Sequence, residues 1–387
     1  MKSALFLRDT LGVALMEDVQ KTAFAVYAIL GKDKKFGPQD RMFRDLAWLA
    51  SDKGMDFFVM VPGFSQTPSQ EIEGYRLQIH SDSTHDEWAK MNVGWPQVVL
   101  RRMVHYPTSL KQLIFEEEER LERESLLITL PRRWGNKWRV FQQLQKDAYL
   151  RTFLPRTVIM KKSSEIFPFL ESIEDLYVKP VLGSQGNRIM RIQKNENAVI
   201  LASSQTEIKA FSSVDQIGLM QEVNERLSGQ TAIVQETIDL LRTREGEPID
   251  LRYLVQATSE QHHPKVTAIA RVGKKSGITT NLHTGGQAFS TKKVAELLPS
   301  EQRLSWQRGV EEGKKVARKV FRLFQKEYPP LVELGVDLAI DQSGQVYFLE
   351  INPCPGRRML RKVSRDWRIQ SLERILNYAS YLTTRKT

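Results

Sequence analysis

The chain has 387 residues, 41% of them hydrophobic and 27% charged, which is enough to bury a core in each of two or three domains. It holds one cysteine, Cys354, and a net charge of +11, of which +7 falls between Arg357 and Thr387. These values exclude an internal disulfide framework, and no run of 18 apolar residues is present to span a membrane. Zinc-ligand spacing, an aromatic RNP-like strand and a basic heptad region are also missing, so the basic balance points to an anionic substrate or surface ahead of nucleic acid.

The opening MKSALFLRDTLGVALMEDVQ is interrupted by Arg8, Asp9, Glu17 and Asp18 and makes a poor signal peptide; cytoplasmic synthesis is expected. Met55–Val61 before Pro62-Gly63 reads as a buried strand, and Gly74–His80 as an alternating one. KQLIFEEEERLERESLL has helix period, and its Glu116–Glu119 run reads as a solvated face paired with Arg120 and Arg123 rather than a metal cluster. This segment divides the chain into an N-terminal α/β domain, 1–125, and a second unit, 126–387.

From Asn136 the pattern changes. NKWRVFQQLQ reads as a helix, and DLYVKPVLGSQGNRIMRIQ as a strand, a glycine turn and a second strand. AIVQETIDLL, DLRYLVQAT and KVTAIARVG are further strands, with His262-His263 in a turn before Pro264. Leu304–Tyr328 is a long helix with Val316, Val320 and Phe324 inward, and RIQSLERILNYASYL closes the chain as an amphipathic helix.

Between those helices lies VDLAIDQSGQVYFLEINPCPG. A two-residue turn at Ser343-Gly344 places Asp337 opposite Glu350, with Asp337, Ala339, Phe348, Glu350 and Asn352 on one face; a three-residue loop would not. Two facing carboxylates repel, so a shared proton, an arginine or a divalent cation must offset them. Asp337, Glu350 and Asn352 are oxygen ligands of the kind that suits Mg²⁺ or Mn²⁺. The rigid NPCPG turn that follows exposes backbone beside that position. A nucleotide partner is offered by YVKPVLGSQG. Lys179 ends a strand, and Gly183, Ser184 and Gly186 let backbone N–H groups approach phosphate, although no Walker lysine follows.

The ordered set VKPxxGSxGxxI, QExI, DLRxLV, ARxG…TNLHxGG and VDLAIDxxGxxxFLEINPxPG resembles the ATP-grasp superfamily from about Asn136 onward. It is most similar to the endospore-coat-associated YheC/YheD proteins, whose front part MNVGWPQVVLRR also resembles. The resemblance implies an ATP-grasp fold of two α+β lobes clasping ATP, preceded by a smaller N-terminal α/β domain. By position it implies Lys137 and Lys179 on the phosphates, and Gln235, Glu236 and Ile238 around adenine. Asp337, Glu350 and Asn352 would hold Mg²⁺, and Arg271 and Asn281, with Arg252, would stand near the γ-phosphate. Gly285-Gly286 would belong to a closing loop. The implied chemistry is carboxylate activation, in which the protein positions reactants and neutralises charge. Cys354 is then a turn residue, and His283 either a substrate contact or a loop anchor.

Gly356, Arg357 and Arg358, with Arg361 and Lys362, form a basic edge that reads either as recognition of an anionic substrate or as a solvated helix start. Three functions remain open on these residues: an ATP- and Mg²⁺-dependent carboxylate–amine or –thiol ligase, a spore-coat structural protein that binds nucleotide without turnover, and a kinase. The partners expected are a nucleotide, a carboxylate and an amine, with an acidic peptide or coat protein among the candidates. The location expected is the mother-cell cytoplasm or the spore coat.

Overall fold

The computed structural model describes residues 21–384 except 34, 65–70, 79–85, 104–105, 184–187, 204–207, 213–214, 260–262, 276, 281 and 283–284. Three six- or five-stranded sheets follow one another along the chain. The first is built on parallel strands β1 (Ala23–Tyr27), β2 (Asp56–Met60), β5 (Val98–Arg101) and β6 (Leu126–Leu127), with the antiparallel pair β3 (Glu71–Gln78) and β4 (Glu87–Gly94) at one edge. All four residues of β5 are buried, as expected of a parallel strand covered on both faces. Helices α1 (Asp40–Asp52) and α2 (Lys111–Glu124) belong to this domain, and the sheet itself includes Leu126–Leu127.

The acidic run in α2 does not present one solvated face. Glu117 and Glu118 are buried and turn inward. Glu117 accepts from the Tyr27 hydroxyl and from the Gly63 N–H at 2.9 Å, while Glu118 pairs with Arg132 at 2.9 Å. Arg120 does pair on the surface, with Glu124 at 3.0 Å. The partners of the inward pair come from remote segments, which helix periodicity cannot reveal.

The central lobe is an antiparallel sheet ordered β11-β10-β9-β8-β12-β7, in which β8 (Asp175–Pro180) and β12 (Ala232–Glu236) lie side by side, flanked by β7 (Thr157–Met160) and β9 (Met190–Lys194). β10 (Ala198–Ser203), β11 (Ile208–Ser212) and helices α4 (Phe167–Leu170) and α5 (Gln216–Leu227) complete a lobe with its own apolar core, including Leu176, Val178, Leu219 and Val234. The third sheet runs β15-β14-β13-β16-β17, with β13 (Ile249–Gln256), β14 (Lys265–Val272), β15 (Gln287–Phe289), β16 (Glu333–Ile340) and β17 (Val346–Asn352).

Short α6 (Thr291–Leu297) leads to α7 (Arg303–Glu327), which crosses this third sheet. It buries Trp306, Val310, Val316, Val320, Phe321 and Phe324, about 1.5–3 kcal/mol each for the aliphatic and Phe side chains. Gly309 and Gly313 bring the helix close, because a methyl at either would overlap Ile340 or the Tyr253 hydroxyl. α3 (Lys137–Gln145), capped by the Asn136 side chain on Arg139 N, bridges toward the central lobe. After α8 (Arg358–Val363), α9 (Arg365–Thr384) returns to pack on α1, where Arg368 pairs with Asp45. The first sheet and the third therefore share one continuous core. No helix among the described residues is long and apolar enough to cross a membrane.

Candidate functional site

The site lies between the inner strands β8 and β12 of the central sheet and the third sheet, and its chemistry begins with the hairpin β16–β17. Asp337 does oppose Glu350, but the turn has three residues, Gln342–Gly344, closed by Asp341 N–H to Gln345 C=O at 3.0 Å. Gly344 takes φ +90°, the left-handed position that this loop length uses, and Asp341 Oδ1 accepts from the N–H groups of Ser343 and Gln345, both at 2.9 Å. A β-bulge at Leu349 then shifts the register between Leu338↔Phe348 and Asp337↔Glu350. The extra loop residue and the extra strand residue cancel at Asp337. Beyond the bulge they do not, so Phe348, expected on the Asp337 face, packs in the core opposite Leu338, and Tyr347 takes the Asp337 side.

Strand register carries the charge pattern across the sheet. Arg271 pairs with Asp250 between β14 and β13, Arg252 with Asp337 between β13 and β16, and Asp337 with Glu350. The side chains follow. Arg271 Nε donates to Asp250 Oδ1 at 2.6 Å and lies 3.0 Å from Asp337 Oδ2 through Nη2. Arg252 holds both oxygens of Asp337, with Nη2 to Oδ2 at 2.6 Å, and Thr280 Oγ1 donates to Asp250. Asp337 is 1% exposed and Arg271 3%. Burial alone would raise the Asp337 carboxyl, but Arg252 and Arg271 outweigh it and hold the pKa below the usual range. Burial likewise disfavours the Arg271 charge, which Asp250 and Asp337 restore and drive upward. Of the three devices that can relieve facing carboxylates, arginine is in place.

Lys179, on β8, projects toward the same space. Its Nζ donates to Gln235 Oε1 at 2.6 Å and sits 5.2 Å from the Tyr177 ring centre. Burial and the neighbouring Lys137 depress it, against Glu350, to a pKa of about 8. Lys137 opens α3, and its Nζ donates to Gly183 C=O at 2.8 Å. Gln235 Nε2 donates to Thr157 at 3.0 Å, and the Glu236 carboxylate accepts from Arg156 N–H at 2.7 Å. Both side chains are therefore engaged within the protein rather than presenting free edges. Asp175, anchored by Arg191 Nε at 2.9 Å and Thr237 Oγ1 at 2.7 Å, was not legible as part of the site; nor were Tyr177 and Thr280.

These groups enclose a pocket of about 300 Å³ lined by Lys137, Lys179, Gly183, Gln235, Glu236, Ile238, Arg271, Asp337 and Glu350. It opens into a cleft of about 1590 Å³ that also contains Arg252, Asn352, Gly356, Arg357 and Arg358. The sequence-derived candidates thus converge, except Ser184, Gly186 and Asn281, which with His262 and His283 lie outside the described residues. Glu350 is half-buried and lines both spaces. Asn352 Oδ1 accepts from Cys354 N–H at 3.1 Å, which fixes the NPCPG turn. Among the described residues no cluster of three or more His, Cys, Asp or Glu is suited to a metal. A donor set of Glu350, Asn352 and Asp337 fits Mg²⁺, which uses one or two carboxylates and completes its shell with phosphate and water.

Arg357 departs from the reading as a free recognition group. It is buried, pairs with Glu333, and donates to Ser371 Oγ at 2.8 Å and Pro355 C=O at 2.7 Å. Arg358 is exposed on the cleft wall. Cys354 Sγ lies 3.6 Å from Arg101 C=O.

The sequence profile of the YheC/D-like ATP-grasp family matches residues 128–382. The endospore coat-associated protein YheD of Bacillus subtilis (strain 168) is 29% identical over 317 residues, 76% of this chain but 65% of YheD, so the chain spans just under two thirds of that relative. YheC of the same organism is 24% identical over 341 residues, covering 87% of this chain and 91% of YheC. Among solved structures, the ATP-grasp ligase PsnB, complexed with a phosphomimetic variant of its minimal precursor, Mg and ADP, superposes with a TM-score of 0.50 at 14% identity, over 92% of this chain and 99% of PsnB.

Proposed function

The chain belongs to the YheC/D-like ATP-grasp family, and from that premise we propose that it is an ATP- and Mg²⁺-dependent ligase joining a carboxylate to an amine or thiol. The observation that carries the reading is the meeting of Lys137, Lys179, Arg271 and Glu350 around one pocket between two antiparallel sheets. Lys137 and Lys179 form no salt bridge among the described residues and can complement phosphate oxygens, while Glu350 accepts no hydrogen bond there and can face a divalent cation.

In this reading Lys137, Lys179 and the Gly183–Gly186 turn bind the phosphates. Gln235 and Glu236 shape the adenine end through the strand they brace, beside Ile238. Glu350 and Asn352, with Asp337 behind them, would hold the metal, which would supply charge neutralisation at the phosphate oxygens. Arg271, backed by Arg252 and with Asn281, stands beside the transferring group, and its two carboxylate partners keep it charged and oriented. A substrate carboxylate oxygen bonds to the γ-phosphorus as the β–γ bridging oxygen leaves with its electron pair on ADP. The amine or thiol then adds to the acyl carbon, phosphate leaves with the electron pair of its bond, and the nucleophile's proton passes to solvent. Gly356 and Arg358 border the acceptor side, and Arg357 positions their turn. Coat association and mother-cell synthesis extend from the names of the relatives.

One observation favours a second reading, a coat-associated protein that holds nucleotide without turnover: both oxygens of Asp337 already accept from arginine. The test is a thermal shift with ATP with and without Mg²⁺, on the wild type and Glu350→Gln. The ligase reading expects a shift that needs Mg²⁺ and is lost in the variant, followed by ADP release with some carboxylate–amine pair from a panel of amino acids, peptides and coat extract. A Mg²⁺-dependent shift with no ADP release from any mixture would select the binding protein.

A further inference from the structure

The larger cleft is oversized and overcharged for a nucleotide and a small acid. Small-molecule sites enclose roughly 300–1,000 Å³, a range the inner pocket already meets, whereas the outer cleft adds about 1590 Å³. Fourteen arginines and lysines line it, against one carboxylate, Glu350. Some have internal counter-charges: Arg101 and Arg132 with Glu118, Arg102 and Arg357 with Glu333, Arg252 and Arg271 with Asp337, and Arg368 with Asp45. Six others, Arg41, Lys111, Arg133, Arg188, Arg358 and Arg361, are exposed and have no carboxylate partner among the described residues.

These six are spread over all three parts of the molecule. Arg41 lies in the first turn of α1, Lys111 opens α2, Arg133 follows β6, Arg188 precedes β9, and Arg358 and Arg361 lie on α8. They line a cleft that also touches the crevice between β1 and β5, where the strand order reverses and where ligands of open α/β sheets settle.

We propose that this cleft binds an extended acidic polypeptide, with successive carboxylates on the six cations and one of them delivered toward Glu350 and Arg271. The delivery rests on the ligase reading; the binding does not. A free amino acid would engage only a fraction of such a ring. Single-stranded nucleic acid needs stacking platforms, and of the aromatic side chains lining the cleft only Phe115 is exposed, the Tyr106 ring being covered by Arg132.

The experiment is fluorescence anisotropy with fluorescein-labelled deca-glutamate on the full chain, with deca-glutamine and a ten-nucleotide oligo(dT) as comparisons. Saturable binding of deca-glutamate alone is expected, weakening as salt rises. Lys111→Glu/Arg361→Glu, on helices α2 and α8, should weaken it about tenfold while leaving the Mg·ADP thermal shift intact, and Arg41→Glu gives an independent variant should the pair misfold. The proposal is overturned by the absence of saturable binding, by affinity unchanged within about twofold in these variants, or by oligo(dT) binding as tightly as deca-glutamate. Deca-glutamate binding without ADP release from any amine would sink the ligase reading and leave the groove standing.

Discussion

Lys179 offers a quantitative test of the nucleotide pocket. Free, it is depressed to about 8 by burial and Lys137, with Glu350 opposing. A bound polyphosphate supplies the missing counter-charge and returns the ammonium toward its ordinary 10.5. Below pH 8 the charged form is already present, and above it binding must take up a proton. The free site is about nine-tenths protonated at pH 7 and one-tenth at pH 9, so Mg·ADP affinity should fall about tenfold between them, or about 1.4 kcal/mol. Lys179→Arg, always charged, should flatten the profile. Isothermal titration calorimetry at both pH values supplies Kd, and repeating pH 8 in buffers of different ionisation enthalpy counts the proton. A wild-type Kd constant within about twofold, or an equal slope in Lys179→Arg, would refute the assignment of Lys179 to the phosphates.

Two further outcomes concern the scaffold. Asp337→Asn leaves Arg252 buried without its carboxylate and should cost about 3–5 kcal/mol in urea unfolding, with Arg252→Met/Asp337→Asn recovering part of the loss; additive effects of the two changes would contradict a coupled pair. Gly313→Ala forces a methyl against the Tyr253 hydroxyl and should destabilise by about 1–3 kcal/mol, with Tyr253→Phe in the same chain relieving part of it, as read by thermal denaturation.

The sequence made the hairpin's chemistry legible because strand alternation keeps Asp337, Glu350 and Asn352 on one side. It did not show the bulge at Leu349, since a longer loop and an extra strand residue cancel at that one pair and leave the same opposition. Only the identities of Tyr347 and Phe348, both acceptable in a strand, distinguish the registers. The helices Leu304–Tyr328 and RIQSLERILNYASYL were legible from long periodic runs, which appear as α7 and α9, whereas the fold class rested on the ordered motifs and the family they resemble. Glu117, Arg357 and Gln235 were harder. Each is polar at a position whose partner, Tyr27, Glu333 or Lys179, stands at least 24 residues away, and only the tertiary register brings them together.

The shared core has a mechanical consequence. The described residues form three sheets, but apolar packing welds the first to the third through α9 and leaves the central lobe on a core of its own. The assembly thus has two apolar cores, joined by the chain entering β7 and leaving β12 and by polar contacts such as Lys137 N–H to Val181 C=O at 2.9 Å and the Tyr177 hydroxyl to Ile278 C=O at 2.7 Å. Any change in the width of the pocket between them is flexure at those two crossings, while the cleft lining supplied by α1, α2 and α8 rides with the body that carries Glu350.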